Sequence, residues 1–176
     1  ASRTRAHLTG ANSHLDTAWL WPLRETHRKA ARTFSNAATA LDREPEYRFA
    51  ASQPRQFEWI RDEHPGLWQR IQGHVAAGRF DVVGAMWVEP DCNVPSGEAF
   101  VRQFLVGQMS TREMFDYTST TLWLPDVFGY SAALPQIMRG CEVEYFCTTK
   151  ISWKDTTRFP YDTFVWKGID GTPVIA

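Results

Sequence analysis

Short apolar runs and stretches with a helical period take turns along this chain. Leu8 to Asn12 is a small, mostly apolar segment that ends at a polar cluster, and it predicts a strand. Past Pro22 the apolar positions recur at helical spacing from Leu23 to Leu41. A proline in the first helical turn is favourable, because the N–H it lacks has no partner there. Tyr47 to Ala51 predicts a second strand, and Pro54 to Glu63 and Leu67 to Ala77 predict helices parted by His64-Pro65-Gly66. Gly78 supplies the left-handed stop. Phe80 to Gly84 is a third strand, and the next helix begins at Ser96 as N-cap, with Glu98 near the positive end of its dipole. The apolar face of that helix is Phe100, Phe104, Thr111 and Phe115.

Thr120 to Leu124 predicts a strand ending at Pro125-Asp126, Leu134 to Arg139 a helix closed by Gly140, and Tyr145 to Thr148 another strand. Thr163 to Ile169 and Thr172 to Ile175 flank Asp170-Gly171, a hairpin signal because both residues tolerate positive φ. Strands alternating with helices place the chain in the α/β class, around a parallel sheet whose carboxyl-end loops form the working face. There is no repeat, low-complexity tract or Ser/Gly linker, so residues 1–176 form one domain. The chain begins without methionine and stops in a strand-like segment, Gly171 to Ala176, and is read as a piece of a longer polypeptide. A closed β/α barrel takes about 250 residues, so this chain is expected to hold four or five of its strands.

A formal charge of −1, with both signs mixed along the chain, offers no footprint for nucleic acid or an anionic membrane. No run of about 18 apolar residues predicts a membrane span, and the first residues lack the apolar segment of a signal peptide. Cys92, Cys141 and Cys147 are odd in number and lack CxxC spacing, which fits neither a disulfide framework nor a thiolate zinc site and points to the cytoplasm. The scattered glycines form no nucleotide-binding loop. Eight tryptophans and eleven phenylalanines remain to be placed.

Ser13-His14-Leu15-Asp16 follows the first strand directly, and alternate residues of an extended segment project to one side. An imidazole and a carboxylate then converge, a donor pair suited to a divalent ion such as zinc. A surface turn or helix cap explains the same pattern. Asp126, at a strand end within Trp123 to Ser131, sits among apolar neighbours that disfavour an unpaired charge. It reads as a cap on the next helix or as a catalytic carboxylate kept ionised by a metal. Trp19 and Trp21 follow the HxD pair, Trp87 precedes Glu89 and Asp91, and Phe128 follows Asp126: aromatic faces beside carboxylates suit a sugar. Trp59, Trp68 and Trp153 are expected in the core, and His7, His27, His64 and His74 read as packed or solvated rather than as ligands.

The stretches HLDTAWLWPLRET, WVEPDCNVPSGEAFVRQFLVGQ and WLPDVFGYSAALPQIMRGC, in that order, make the chain resemble the glycoside hydrolase family 38 α-mannosidases, especially their cytosolic and bacterial branch. The resemblance implies the amino-terminal portion of an irregular seven-stranded β/α barrel and retaining hydrolysis of terminal α-linked mannose. It further implies one divalent metal ion, zinc first and cobalt second, with His14, Asp16 and Asp126 as ligands and Asp126 also as nucleophile. Trp19 and Phe128 match the pocket that holds the mannose ring, Lys150 a cation beside the nucleophile, and Asp91 the pocket rim. A further histidine ligand and the general acid are expected outside this chain, and a homo-oligomer is expected at full length. Two rival readings are a metal-dependent polysaccharide deacetylase and a carbohydrate-binding remnant without catalysis.

Overall fold

The computed structural model describes residues 10–176. The expected strand at Leu8 to Asn12 survives there as β1 (Ala11–Asn12), while Leu8 and His7 lie outside the described residues. Helix α1 (Leu23–Arg43) follows, with Pro22 standing just before its first turn, and then β2 (Phe49–Ala51). Helices α2 (Pro54–Glu63) and α3 (Pro65–Ala76) each begin on a proline, and His64 separates them. Gly78, at φ +64°, turns the chain into β3 (Phe80–Val82). Helix α4 (Gly97–Phe115) is capped as predicted, the Ser96 hydroxyl accepting from the Ala99 N–H at 3.3 Å. The remainder is β4 (Thr121–Trp123), α5 (Leu134–Gly140), β5 (Tyr145–Cys147), a short 3-10 turn at Lys150–Ser152, β6 (Val165–Lys167) and β7 (Pro173–Ile175).

The strands fall into two sheets, a parallel one in the order β1-β2-β3 and a second in the order β4-β5-β7-β6. In the second, β4, β5 and β7 run parallel and β6 pairs antiparallel with β7. The fold is therefore mixed α/β, as expected, with two small sheets in place of one closed barrel among the described residues. The hairpin forms, but only Gly171 takes a positive φ (+86°). Its loop is Ile169-Asp170-Gly171, closed by the Gly168 N–H on the Thr172 carbonyl at 2.9 Å, one residue longer than a two-residue Asp-Gly turn.

Each sheet has its own core. Ala30, Phe34, Ala37 and Leu41 recur every three or four residues on α1 and pack with Phe49, Phe57, Ile60, Ile71 and Phe80. The Phe57 ring stacks on Phe34 with centroids 5.0 Å apart and meets Phe80 edge-on. Each fully buried phenylalanine contributes about 1.5 to 3 kcal/mol. The second core joins Phe100, Phe104, Leu122, Leu124, Leu134, Met138 and Phe146. Helix α4 belongs to both, with Phe100 and Phe104 in the second core and Met114 and Phe115 against the first.

Trp59 and Trp68 are buried as expected. Trp153 is not: its side chain is 70% exposed, and its ring lies under the Lys150 ammonium at 3.3 Å. A cation above the ring face replaces the apolar packing that the residue type alone led one to expect.

Candidate active site

The loops at the carboxyl ends of β1 and β4 bring the chemistry together. His14 and Asp16, just past β1, project to one side, and His14 Nε2 lies 3.3 Å from Asp16 Oδ1. Asp126, three residues past the end of β4, places Oδ2 3.3 Å from the same nitrogen. Nitrogen and oxygen donors of these three residues all lie within 4.8 Å of one another and could hold a metal ion. Donors about 2.1 Å from a tetrahedral zinc stand about 3.4 Å apart, so both 3.3 Å separations fit a shared ion. The three side chains keep 23%, 34% and 32% exposure, enough to admit a ligand from solvent.

The imidazole is surrounded by negative charge. Glu89, on the loop after β3, sets Oε2 2.8 Å from His14 Nδ1, a close ionic contact whose angle is not that of a hydrogen bond. That carboxylate, opposed by burial and reinforced by the charges of Glu89 and Asp16, pushes the imidazole up from 6.5 to about 9. The surroundings of Nε2 thus favour a positive charge, whether a proton or a cation.

The HxD loop is held from beneath by the start of α2. Gln53, just after β2, donates to the Leu15 carbonyl at 2.8 Å and accepts from the Thr17 hydroxyl at 2.6 Å. Gln56 donates to the same carbonyl at 2.8 Å and to the Thr17 hydroxyl at 3.1 Å. The Thr26 hydroxyl donates to the Thr17 carbonyl at 2.9 Å. Buried amides bonded to this loop by both donor and acceptor atoms fix a segment without regular structure.

On the other side Lys150, at the start of the 3-10 turn after β5, brings Nζ to 2.5 Å from Asp126 Oδ1. Its side chain is 9% exposed, with the ammonium 4.6 Å from the centre of the Phe128 ring. The Tyr130 hydroxyl donates to the Val127 carbonyl at 2.8 Å and meets the Thr148 hydroxyl, and Thr149 donates to the Pro125 carbonyl at 2.7 Å. These contacts tie the Asp126 loop to the end of β5. Burial pushes the Tyr130 phenol up to about 12, so it stays a donor.

Of the residues singled out by sequence, His14, Asp16, Asp126, Lys150 and Phe128 are thus brought together. Trp19 is 58% exposed on the loop that follows the HxD pair. Asp91 turns to its own loop, accepting from the Asn93 and Val94 N–H groups at 2.8 Å each, and those bonds hold its carboxyl below the usual carboxylate range. Trp21 and Trp87 serve the scaffold, their indoles donating to Thr26 at 2.9 Å and Glu58 at 3.1 Å. His27 pairs with Glu63 at 2.7 Å and His74 with Asp42 at 2.8 Å, away from the cluster as expected. Glu89, Gln53, Gln56 and Trp153 were not read as site residues. Glu89 was noted only as a carboxylate beside Trp87, and Gln53, Gln56 and Trp153 carry no local pattern that sets them apart from residues with no part in the site.

Human alpha-mannosidase 2C1 is 50% identical over 174 residues, 99% of this chain and 17% of its own length. The alpha-mannosidase of Saccharomyces cerevisiae is 45% identical over 93% of this chain and 15% of its own length. This chain therefore spans about a sixth of these relatives. Among solved structures, an alpha-mannosidase from Enterococcus faecalis V583 superposes with a TM-score of 0.79 over 94% of this chain and 19% of that one. A 4-alpha-glucanotransferase from Thermococcus litoralis gives 0.60 over 79% of this chain and 21% of that one. At 20% and 19% identity these two speak for the fold alone. The family model described as the glycosyl hydrolases family 38 N-terminal domain matches residues 4–176, and with that match the chain belongs to glycosyl hydrolase family 38.

Proposed function

We propose that this chain supplies the nucleophile and most of the metal site of a retaining α-mannosidase acting on terminal α-linked mannose in oligosaccharides or other mannosides. The observation that carries the reading is the setting of Asp126, a strand-end carboxylate with the His14 imidazole at one oxygen and the Lys150 ammonium 2.5 Å from the other. That setting gives the carboxylate a cation at one oxygen and holds it in place, which suits a nucleophile and is not needed by a helix cap.

In the first step the Asp126 carboxylate attacks the anomeric carbon, and the bond to the leaving oxygen breaks as a general acid protonates that oxygen. In the second, water gives a proton to the same group and attacks the anomeric carbon, releasing mannose and the free Asp126 carboxylate. Each displacement inverts the anomeric centre, the carboxylate and the water attacking from opposite faces, so the two together retain the configuration. The acid of such a pair stands about 5 to 5.5 Å from the nucleophile. Asp91 caps its own loop, Glu89 is sealed against His14, and Asp16 belongs to the donor cluster, so the acid is assigned to a part of the protein outside these residues. Lys150 neutralises Asp126 in the resting site and holds one oxygen still. The exposed faces of Trp19 and Phe128 offer apolar platforms for a sugar ring.

His14, Asp16 and Asp126 would hold one divalent ion, zinc before cobalt, since the donors are one imidazole and two carboxylates. When bound, that ion would grip the sugar's 2- and 3-hydroxyls and help distort the ring toward an oxocarbenium-like transition state. We further assign the two sheets to an irregular seven-stranded β/α barrel completed by additional chain. The whole protein is placed in the cytoplasm as a homo-oligomer.

The test is hydrolysis of a chromogenic α-mannoside by the full-length protein, before and after chelation and with zinc or cobalt restored. Activity lost and recovered, and abolished by Asp126→Ala, is the expected result. Undiminished turnover by Asp126→Ala would remove the nucleophile assignment. No activity with any metal would favour the deacetylase or the binding remnant.

A further inference from the structure

One buried carboxylate takes no part in the chemistry above. Only 4% of the Glu89 side chain is exposed, and placing an ionised carboxylate there costs several kcal/mol unless its oxygens are met. The Ser52 hydroxyl donates to Oε1, while Oε2 has the His14 imidazole as its ionic neighbour, Nδ1 lying 2.8 Å away off the angle of a hydrogen bond. The backbone of Glu89 is fixed as well, its N–H donating to Gln53 Oε1 at 3.2 Å. Ser52 and Gln53 follow β2 directly. Gly84, after β3 and at φ +82°, passes so close that a Cβ on it would stand 2.7 Å from the Ser52 carbonyl oxygen. The ends of two strands thus clamp Glu89 against the imidazole.

An ionised carboxylate only accepts, so the ring nitrogen that faces it must carry the hydrogen. With Nδ1 protonated, a neutral His14 turns its Nε2 lone pair toward Asp16 and Asp126, each 3.3 Å away. Those electron pairs repel unless a cation stands among them. We propose that Glu89 is a positioning residue of the metal site: it holds the Nδ1 hydrogen, fixes the tautomer and ring orientation of His14, and strengthens Nε2 as a donor to the divalent ion. Acting through His14, it touches neither ion nor sugar. This rests on the reading that His14, Asp16 and Asp126 hold a metal, and the experiment separates the two ideas.

Full-length protein is stripped with a chelator, and zinc affinity is measured by competition with a chromophoric chelator. The wild type, Glu89→Ala, Glu89→Gln, Ser52→Ala and His14→Ala are compared, with the thermal midpoint of each apo form recorded beside it. Losing a carboxylate of this kind lowers metal affinity about 10- to 100-fold, the expectation for Glu89→Ala. Glu89→Gln keeps an acceptor for Nδ1 but no charge and should fall between, with Ser52→Ala closest to wild type. The visible spectrum of the cobalt-loaded Glu89→Gln protein should shift from that of wild type, a change that a stability role does not produce.

Zinc affinity within twofold of wild type for both Glu89 variants, while His14→Ala binds weakly, overturns the role of Glu89 and leaves the metal reading standing. A wild type that binds neither zinc nor cobalt overturns both. Should Glu89→Ala fail to fold, Glu89→Gln decides.

Discussion

Two glycines in helices should answer the same substitution with opposite signs. Gly73 lies in α3 with nothing within 4 Å of the position its Cβ would take. Alanine there removes the backbone entropy penalty of glycine and should stabilise by about 0.5 to 1 kcal/mol. Gly107 lies in α4, where the same Cβ would meet the Met86 carbonyl carbon at 2.5 Å, the Ala85 oxygen at 2.6 Å and the Trp87 nitrogen at 2.6 Å. All three are backbone atoms that no rotamer change can move. To restore ordinary contact, helix and loop must separate by about 1 Å. That strains the bonds joining them, Trp87 N–H to the Gln103 carbonyl at 3.0 Å and Val88 N–H to Gln103 Oε1 at 3.1 Å. Overpacking costs about 1 to 3 kcal/mol and each weakened buried bond about 1, against a propensity gain of about 1, so Gly107→Ala is destabilised by about 2 to 4 kcal/mol. Gly73→Ala should therefore melt above wild type and Gly107→Ala below it, by the larger margin. Thermal unfolding of the full-length variants side by side is the assay. A Gly107→Ala protein melting at or above wild type would refute the close packing of α4 on the 85–87 loop.

Two further outcomes concern single groups. Lys150→Met leaves Asp126 Oδ1 without its cation; discounting the 3 to 5 kcal/mol of a fully buried pair because Asp126 is a third exposed leaves about 1 to 2 kcal/mol, or roughly 5- to 30-fold in kcat/KM toward an aryl mannoside. Lys150→Arg should recover part of it, and an unchanged kcat/KM in the methionine variant refutes the electrostatic role. Burial, reinforced by the Asp91 charge, pushes the Cys92 thiol up to about 12, so at pH 8 only roughly one molecule in ten thousand carries the thiolate. Iodoacetamide at pH 8 should leave Cys92 intact in the native protein and modify all three cysteines in urea; equal native and denatured rates at Cys92 would contradict its burial.

The element order was legible because local signals carry it. Ala30, Phe34, Ala37 and Leu41 mark one face of α1, Ser96 caps α4, and Gly78 and Gly171 take the positive φ their positions require. Extent and closure were not, because strand pairing is a long-range property: β1 is two residues long, and the strands divide into two sheets. Trp153 shows the same limit for burial. Its type predicts the core, but Lys150, three residues earlier, turns back over its ring and makes an exposed position favourable. The HxD pair was legible because alternation within one strand end is local. Asp126 and Lys150 were matched to it through a family pattern, since they reach the cluster from a different sheet.

That division between sheets explains why the site depends on a helix that carries none of its polar groups. His14, Asp16 and Glu89 come from loops of the β1-β2-β3 sheet, Asp126 and Lys150 from loops of the β4-β5 pair. No strand ladder joins the two sheets among the described residues, so their spacing is set by packing, and α4 is the element with residues in both cores. Donor separations of 3.3 Å leave no slack for a shift of about 1 Å, which alone can cost about a hundredfold in rate. Gly107→Ala should therefore lose zinc affinity and turnover even well below its melting temperature, where the protein is folded. A folded Gly107→Ala protein with wild-type zinc affinity and turnover would mean that contacts other than the packing of α4 hold the two halves of the site in register.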